Sequence, residues 1–281
     1  MTREGAPVVR VSGVDKRFGD GGQGGTTALS GIDLEIGRGE FVSLIGPSGC
    51  GKSTLLRLIG DLTAPSGGKV EVNGKPAHSA RLAREYGMVF QAPVLFEWRS
   101  VEENVALPLE LLGMDRSERG SRVRDMLGLV ELGDFARHHP YQLSGGMQQR
   151  VAIARALALQ PAILLMDEPF GALDEMTRER MNSELLRIWQ QTGTTIVFVT
   201  HSIPEAVFLS TRVVVMSARP GRITKVVDIP LAHPRNDETR EDPGYFRAVT
   251  EVREALRSGG GLAGEPALAS DERLAAEGGI G

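Results

Sequence analysis

Nine residues, Gly46 to Thr54, read GPSGCGKST and fit the spacing GxxxxGK[ST]. Glycines at such positions let the backbone turn tightly and aim N–H groups at phosphate oxygens. A helix start directly after the loop adds partial positive charge. Lys52 is placed to reach the outer phosphates of a nucleotide, and the Ser53 hydroxyl to ligate Mg²⁺. Gly46, Pro47, Ser48, Gly49, Cys50, Gly51 and Thr54 complete the cradle. The bland alternative is a glycine-rich turn with a chance lysine. The apolar run Phe41 to Ile45 before the loop and the helical pattern Ser53 to Ile59 after it argue against that.

Two further segments carry chemistry. ILLMDEP, Ile163 to Pro169, buries four apolar residues and presents Asp167 and Glu168 at the end of a strand. Beside a phosphate loop, Asp167 suits Mg²⁺ held through water. Glu168 suits polarising a water on the γ-phosphate side. LSGGMQQR, Leu143 to Arg150, sets small residues immediately before a helix, which makes a second helix start with free N–H donors. In isolation, a serine cap on a glycine turn explains that segment equally well. One site rarely needs two such cradles from distant parts of a chain unless two copies face each other. Cys50, the one thiol, has Lys52 and a helix start beside it. Positive surroundings lower a thiol pKa, so a reactive thiolate shielded by bound nucleotide is expected there; the bland alternative is a small buried residue filling space under the loop, inert to reagents.

These groups need a scaffold. Val8 to Val11 opens a strand, and Ile32, Leu34 and Ile36 alternate in another. Between them Gly19 to Gly25 holds five glycines in seven residues and reads as a loop. Val70–Asn73, Tyr86–Gln91, Ile163–Met166, Thr195–Thr200, Val213–Met216 and Ile223–Ile229 read as further strands. Met147–Leu159, Met176–Gln191 and Ile203–Leu209 read as helices. From Ser100 to about Arg137 the period is also helical, with Pro108 expected to bend or break the first helix. Strands alternating with helices predict an α/β core with a parallel sheet, and the stretch at about 100–158 reads as an inserted helical subdomain. The last 24 residues hold seven Gly and five Ala and read as a disordered tail, 258–281.

The ensemble resembles the ATP-binding subunit of an ABC transporter. The phosphate loop, Gln91, LSGGMQQR, ILLMDEP, GALD at Gly171–Asp174 and His201 occur in that family's order, over about residues 8–230. The resemblance implies a P-loop NTPase core with an antiparallel β subdomain and a helical insertion, within one ATPase domain at 8–257. It implies ATP and Mg²⁺ as cofactors. ATP would be sandwiched head-to-tail between the phosphate loop of one copy and Ser144, Gly145 and Gly146 of another. The second copy would be the same chain or a paralogous subunit. It further implies that Phe18 stacks on adenine, Gln91 senses Mg²⁺ and water, His201 contacts the γ-phosphate, and Asp174 organises the dimer interface. Phe96, Glu97 and Trp98 fall where a permease would dock. Two departures stand out: Met147 replaces a common Gln after LSGG, and Phe18 replaces Tyr.

Composition narrows the class. With 32 Lys and Arg against 36 Asp and Glu, the net charge is −4, which gives no electrostatic footprint for nucleic acid. No run approaches the roughly 18 apolar residues of a membrane span, and the N-terminus lacks a secretory pattern. The default place is therefore the cytosol; the resemblance implies the cytoplasmic face of a membrane, reached through multi-span permease subunits, with an extracytoplasmic solute-binding protein as indirect partner. The stretches VFQAPVLFEWRSVEENVALPLEL and VVVMSARPGRI resemble the nitrate/sulfonate/taurine importer group, which includes vitamin-like carriers. The alternatives are a non-transport cytosolic ABC ATPase, such as one for Fe–S assembly, and the ATPase subunit of an exporter.

Overall fold

A computed structural model describes residues 6–19 and 25–260. Two sheets share the chain. β1 (Val9–Phe18) pairs antiparallel with β2 (Thr26–Ile36). β3 (Phe41–Ile45) follows, and the phosphate loop leads from it into α1 (Lys52–Ile59). β4 (Gly67–Val72) and the short β5 (Lys75–Pro76) complete a four-stranded antiparallel sheet of order β2-β1-β4-β5. A short helix, α2 (Ala77–Leu82), leads to β6 (Tyr86–Phe90).

Three helices come next: α3 (Val101–Leu111), α4 (Arg116–Leu129) and α5 (Gly145–Leu157). Ser100 and Glu103 form a reciprocal cap that starts α3 where the sequence places it. Pro108 does not break α3, contrary to expectation. Val101, Val105 and Leu109 bury one face, and that packing offsets the hydrogen bond that proline removes from the last turn.

The chain then alternates: β7 (Ile163–Asp167), α6 (Glu175–Thr192), β8 (Thr195–Val199), α7 (Ile203–Leu209), β9 (Arg212–Met216) and β10 (Ile223–Asp228). The second sheet has order β10-β9-β3-β8-β7-β6. It is parallel except for β10, which turns back on β9. β3, β7, β8 and β9 are almost wholly buried, which explains their continuous apolar runs. α1 packs between the two sheets, and the remaining long helices cover the other face.

Two helices escaped the sequence reading: α8 (Asp237–Glu241) and α9 (Pro243–Ser258). α9 buries Tyr245, Ala248, Val249, Val252, Ala255 and Leu256 at helical spacing, and Asp242 caps it with Pro243 in the first turn. Ser258 therefore belongs to a helix. Residues 261–281 of the expected tail and 20–24 of the glycine loop lie outside the described residues.

Candidate functional site

Register brings the chemistry to one edge. Leu44 pairs with Val199, Val199 with Asp167, Asp167 with Phe90, and Ile45 with Val215. The phosphate loop, Glu168, His201, Gln91 and the turn after β9 all leave the sheet at its carboxyl end, where α/β sheets bind ligands.

The loop is built to leave donors free. Gly51 precedes α1 at φ 105°, a conformation that suits glycine, and no side chain caps the helix. The first N–H groups of α1 thus lack the usual side-chain partner and face an anion's place. A Cβ on Gly51 would come within 2.5 Å of Leu29. Lys52 is buried, and its Nζ donates to the carbonyls of Gly46 at 2.9 Å and Pro47 at 3.2 Å. Ser53 Oγ donates to Asp167 Oδ1 at 2.6 Å.

Glu168 takes φ 47°, a left-handed backbone that costs a non-glycine residue about 1–2 kcal/mol. Its N–H donates to Val199 O at 3.1 Å and its carbonyl accepts from Gly171 N–H at 3.0 Å. That geometry sets its Oε2 3.6 Å from His201 Nδ1. Strain of this kind, held by surrounding bonds, is common where a side chain must point at a reaction.

A cleft of about 480 Å³ is lined by Phe18, Thr26, Ala28, Ser48, Gly49, Gly51, Lys52, Ser53, Thr54, Glu168 and Arg219. The aromatic end, the loop and the acid expected from sequence therefore meet. Phe18 is 47% exposed, and the Lys16 ammonium sits 4.8 Å from its ring centre, on one face. Gln91 does not line the cleft; its amide nitrogen is 3.2 Å from where a Cβ on Gly171 would stand, in the turn after Glu168.

Ser144, Gly145 and Gly146 do not line this cleft. They open α5, where Ser144 Oγ accepts from Met147 N–H at a long 3.4 Å. Gly146 is buried against α6: a Cβ there would approach the Thr177 methyl to 3.2 Å. Asp174 caps α6 by accepting from Thr177 N–H at 3.0 Å, which holds its carboxyl below the usual range. Met147 packs partly buried against the core.

Cys50 overturns an expectation. It is 1% exposed, and burial pushes its thiol up, outweighing the opposing pull of Lys52. A Cβ on Gly46 would stand 2.8 Å from its Sγ, so the side chain fills space under the loop. Its N–H closes the turn on Pro47 O at 3.2 Å.

Mg²⁺ fits the donor set. It favours oxygen ligands, keeps several waters, and is usually held by one or two carboxylates plus substrate phosphates. The touching pair Ser53 and Asp167 offers a hydroxyl and a carboxylate of that kind. Among the described residues no cluster of three or more His, Cys, Asp or Glu forms a cage.

The ABC transporter family model matches residues 29–171, about half of the chain. The chain belongs to the ABC transporter family. Among relatives, an uncharacterised ABC transporter ATP-binding protein of Methanocaldococcus jannaschii is 49% identical over 225 residues, covering 80% of this chain and 84% of the relative. A taurine import ATP-binding protein of Jannaschia sp. is 44% identical over 250 residues, covering 88% and 91%. Among solved structures, a dimeric ATP-binding cassette in a post-hydrolysis state with ADP and Pi matches with TM-score 0.69 and 37% identity, covering 80% of this chain and all of that one. The expected ABC cassette fold, with its parallel core and antiparallel sheet, is therefore borne out. This chain is an ABC ATP-binding cassette, and no helix among its described residues is long and apolar enough to cross a membrane.

Sequence reasoning missed Arg219, Thr26 and Ala28 in the cleft. It also missed Asn104, fully buried in α3. Asn104 Nδ2 donates to the carbonyls of Phe96, Arg99 and Ser100 at 3.1, 3.2 and 3.0 Å, and its Oδ1 accepts from Phe96 N–H at 2.8 Å. It fixes the turn that carries Glu97 and Trp98. Trp98 is 74% exposed, so it is not core.

Proposed function

We propose that this chain is the ATPase subunit that energises import of a small sulfonate-like or taurine-like solute through separate permease subunits at the cytoplasmic face of a membrane. Similarity to a taurine import ATP-binding protein supports the solute class. Likeness to a dimeric cassette supports pairing of two copies. An extracytoplasmic binding protein would select the solute.

One observation carries the mechanism: Glu168 lines the same cleft as Lys52 and stands 3.6 Å from His201. Phosphoryl transfer to water demands positioning and charge neutralisation more than covalent chemistry. Lys52 exchanges its two loop carbonyls for phosphate oxygens, and the α1 N–H groups cradle the same anion. Ser53 and Asp167 would hold Mg²⁺, which supplies charge neutralisation on the phosphates when bound. Glu168 orients the attacking water and accepts its proton as the water oxygen bonds to the γ-phosphorus. The bond from that phosphorus to the bridging oxygen breaks, and ADP leaves. His201 holds the γ-phosphate oxygens beside Glu168. Phe18 receives adenine on the ring face that Lys16 leaves free. Gln91, at the end of β6, is read as the Mg²⁺ and water sensor, linking the cleft to the Phe96–Trp98 turn. Ser144, Gly145 and Gly146 of one copy close the γ-phosphate of the other, with Asp174 at the same interface.

The test is Glu168→Gln, which keeps shape and removes the charge on the carboxyl. ATP hydrolysis is expected to fall by about 10²–10⁴ while ATP binding persists, leaving an ATP-bound dimer visible by size exclusion. Hydrolysis within about tenfold of wild type would remove Glu168 from this role. Co-purification with a multi-span permease separates a transporter subunit from a free cytosolic ATPase.

A further inference from the structure

The cleft holds a cation that none of the motifs supplies. Arg219 belongs to the turn between β9 and β10, far from the phosphate loop in sequence, and lines the cleft with Phe18, Lys52 and Glu168. Its Nε donates to the Gly49 carbonyl at 2.8 Å. One terminal nitrogen lies 3.1 Å from the point where a Cβ on Gly49 would stand. The turn itself is fixed from both sides. Gly221 N–H donates to Ala28 O at 2.9 Å, and Ser30 N–H donates to Gly221 O at 3.0 Å. A Cβ on Gly221 would collide with the Cys50 carbonyl, so only glycine lets the turn lie this close to the loop. The Arg219 side chain is nevertheless exposed. Among the described residues its terminal N–H groups have no hydrogen-bond partner and no carboxylate within ion-pair distance.

We propose that Arg219 is a nucleotide-binding residue: its terminal N–H groups engage the phosphate–ribose part of a bound adenine nucleotide while Nε keeps its hold on the Gly49 carbonyl. The proposal rests on the reading of this cleft as the ATP site. The chemistry favours it on two counts. A guanidinium offers a rigid fork of five donors matched to phosphate oxygens, and among the described residues one of them, Nε–H, has a partner. Lys52 is buried with its amine on two carbonyls, whereas Arg219 lines the cleft exposed and, among the described residues, without a carboxylate partner. A nucleotide that reaches both Phe18 and Lys52 shares its cleft with that charge.

The experiment is calorimetric titration of MgADP, which avoids turnover, into the full chain and into Arg219→Ala, Arg219→Gln, Arg219→Lys and Lys52→Ala. Gln can still donate to the Gly49 carbonyl but carries no charge. Lys keeps the charge and loses the fork. Kd is expected to rise about tenfold in Ala and in Gln, with Lys in between, as for a lost charge-assisted hydrogen bond. Added KCl should weaken wild-type binding more than binding by Arg219→Gln. A Gln variant that binds MgADP within about twofold of wild type, at every salt concentration, would overturn the proposal and leave Arg219 as an anchor for the loop. If Ala fails to fold, the Gln and Lys variants decide the question. Wild-type protein that does not bind MgADP, or binds it no better than Lys52→Ala, would instead overturn the reading of the cleft.

Discussion

Two helix N-termini in this molecule suit an anion, and they are finished differently. α1 begins at a left-handed glycine with no side-chain cap, deep in the chain, and opens on the cleft that holds Glu168. α5 begins at Ser144, whose hydroxyl caps the helix weakly at 3.4 Å, on exposed backbone that lines no part of the same cleft. In the first, no side chain takes up the N–H groups of the opening turn. In the second, the serine holds one N–H, that of Met147, at long range. Within one copy Ser144, Gly145 and Gly146 lie away from the cleft, which is the geometric reason for proposing a site shared between two copies.

Breaking the α1 side should have the largest effect. Asp167→Asn removes the charge that meets Ser53, and ATPase activity is expected to drop by about 10²–10³, as when a pre-set electrostatic contact is lost. A steady-state assay showing less than about a fivefold loss would deny the α1 end its catalytic standing.

The turn held by Asn104 sharpens the comparison from outside both helix ends. Glu97→Lys is expected to leave basal ATPase of the isolated subunit within about twofold, because Glu97 touches neither end, and to abolish solute uptake in the assembled transporter. Lost basal ATPase would mean the turn supports the fold.

Cys50 gives a smaller, quantitative check on the α1 side. Maleimide should label the native protein at least about tenfold more slowly than the urea-unfolded chain, since burial withholds both access and thiolate. Fast native labelling would mean the loop opens readily.

The smallest effect concerns the turn that carries His201. Glu205 is buried; it accepts from Thr200 Oγ1 at 2.5 Å, and burial pushes its carboxyl up. Because the folded state holds this proton more tightly, wild-type stability falls as pH rises through the ordinary glutamate range to the raised folded value. Glu205→Gln should therefore melt like wild type in acid and gain on it towards neutral pH. A melting series in which wild type gains on the variant with rising pH would reverse the sign.

What could be read from sequence was contiguous. The phosphate loop spans nine residues between a buried strand and a helix, so its neighbours announce it. Glu168 was legible because β7 is a short buried run that ends in acids beside a phosphate loop, whereas His201, just past β8, was assigned through the family resemblance. Arg219 was not legible as part of the cleft, because its contact with Gly49 comes from a turn that only the tertiary fold brings there. The Cys50 thiol was misjudged for a related reason. Lys52 is visible two residues away, but the burial that outweighs it is assembled from Gly46, β9 and the core beneath. α9 carried a readable apolar period and a capped start that went unread.

The shared site is the central claim, and mixing tests it most directly. Lys52→Ala damages the α1 end and Ser144→Arg damages the α5 end. In a mixed dimer arranged head-to-tail, one composite site carries both lesions and the other carries neither. Nucleotide-induced dimerisation, followed by size exclusion, is predicted to recover partly when the two variants are combined and to fail for either alone. A mixture no better than its components would contradict the head-to-tail site.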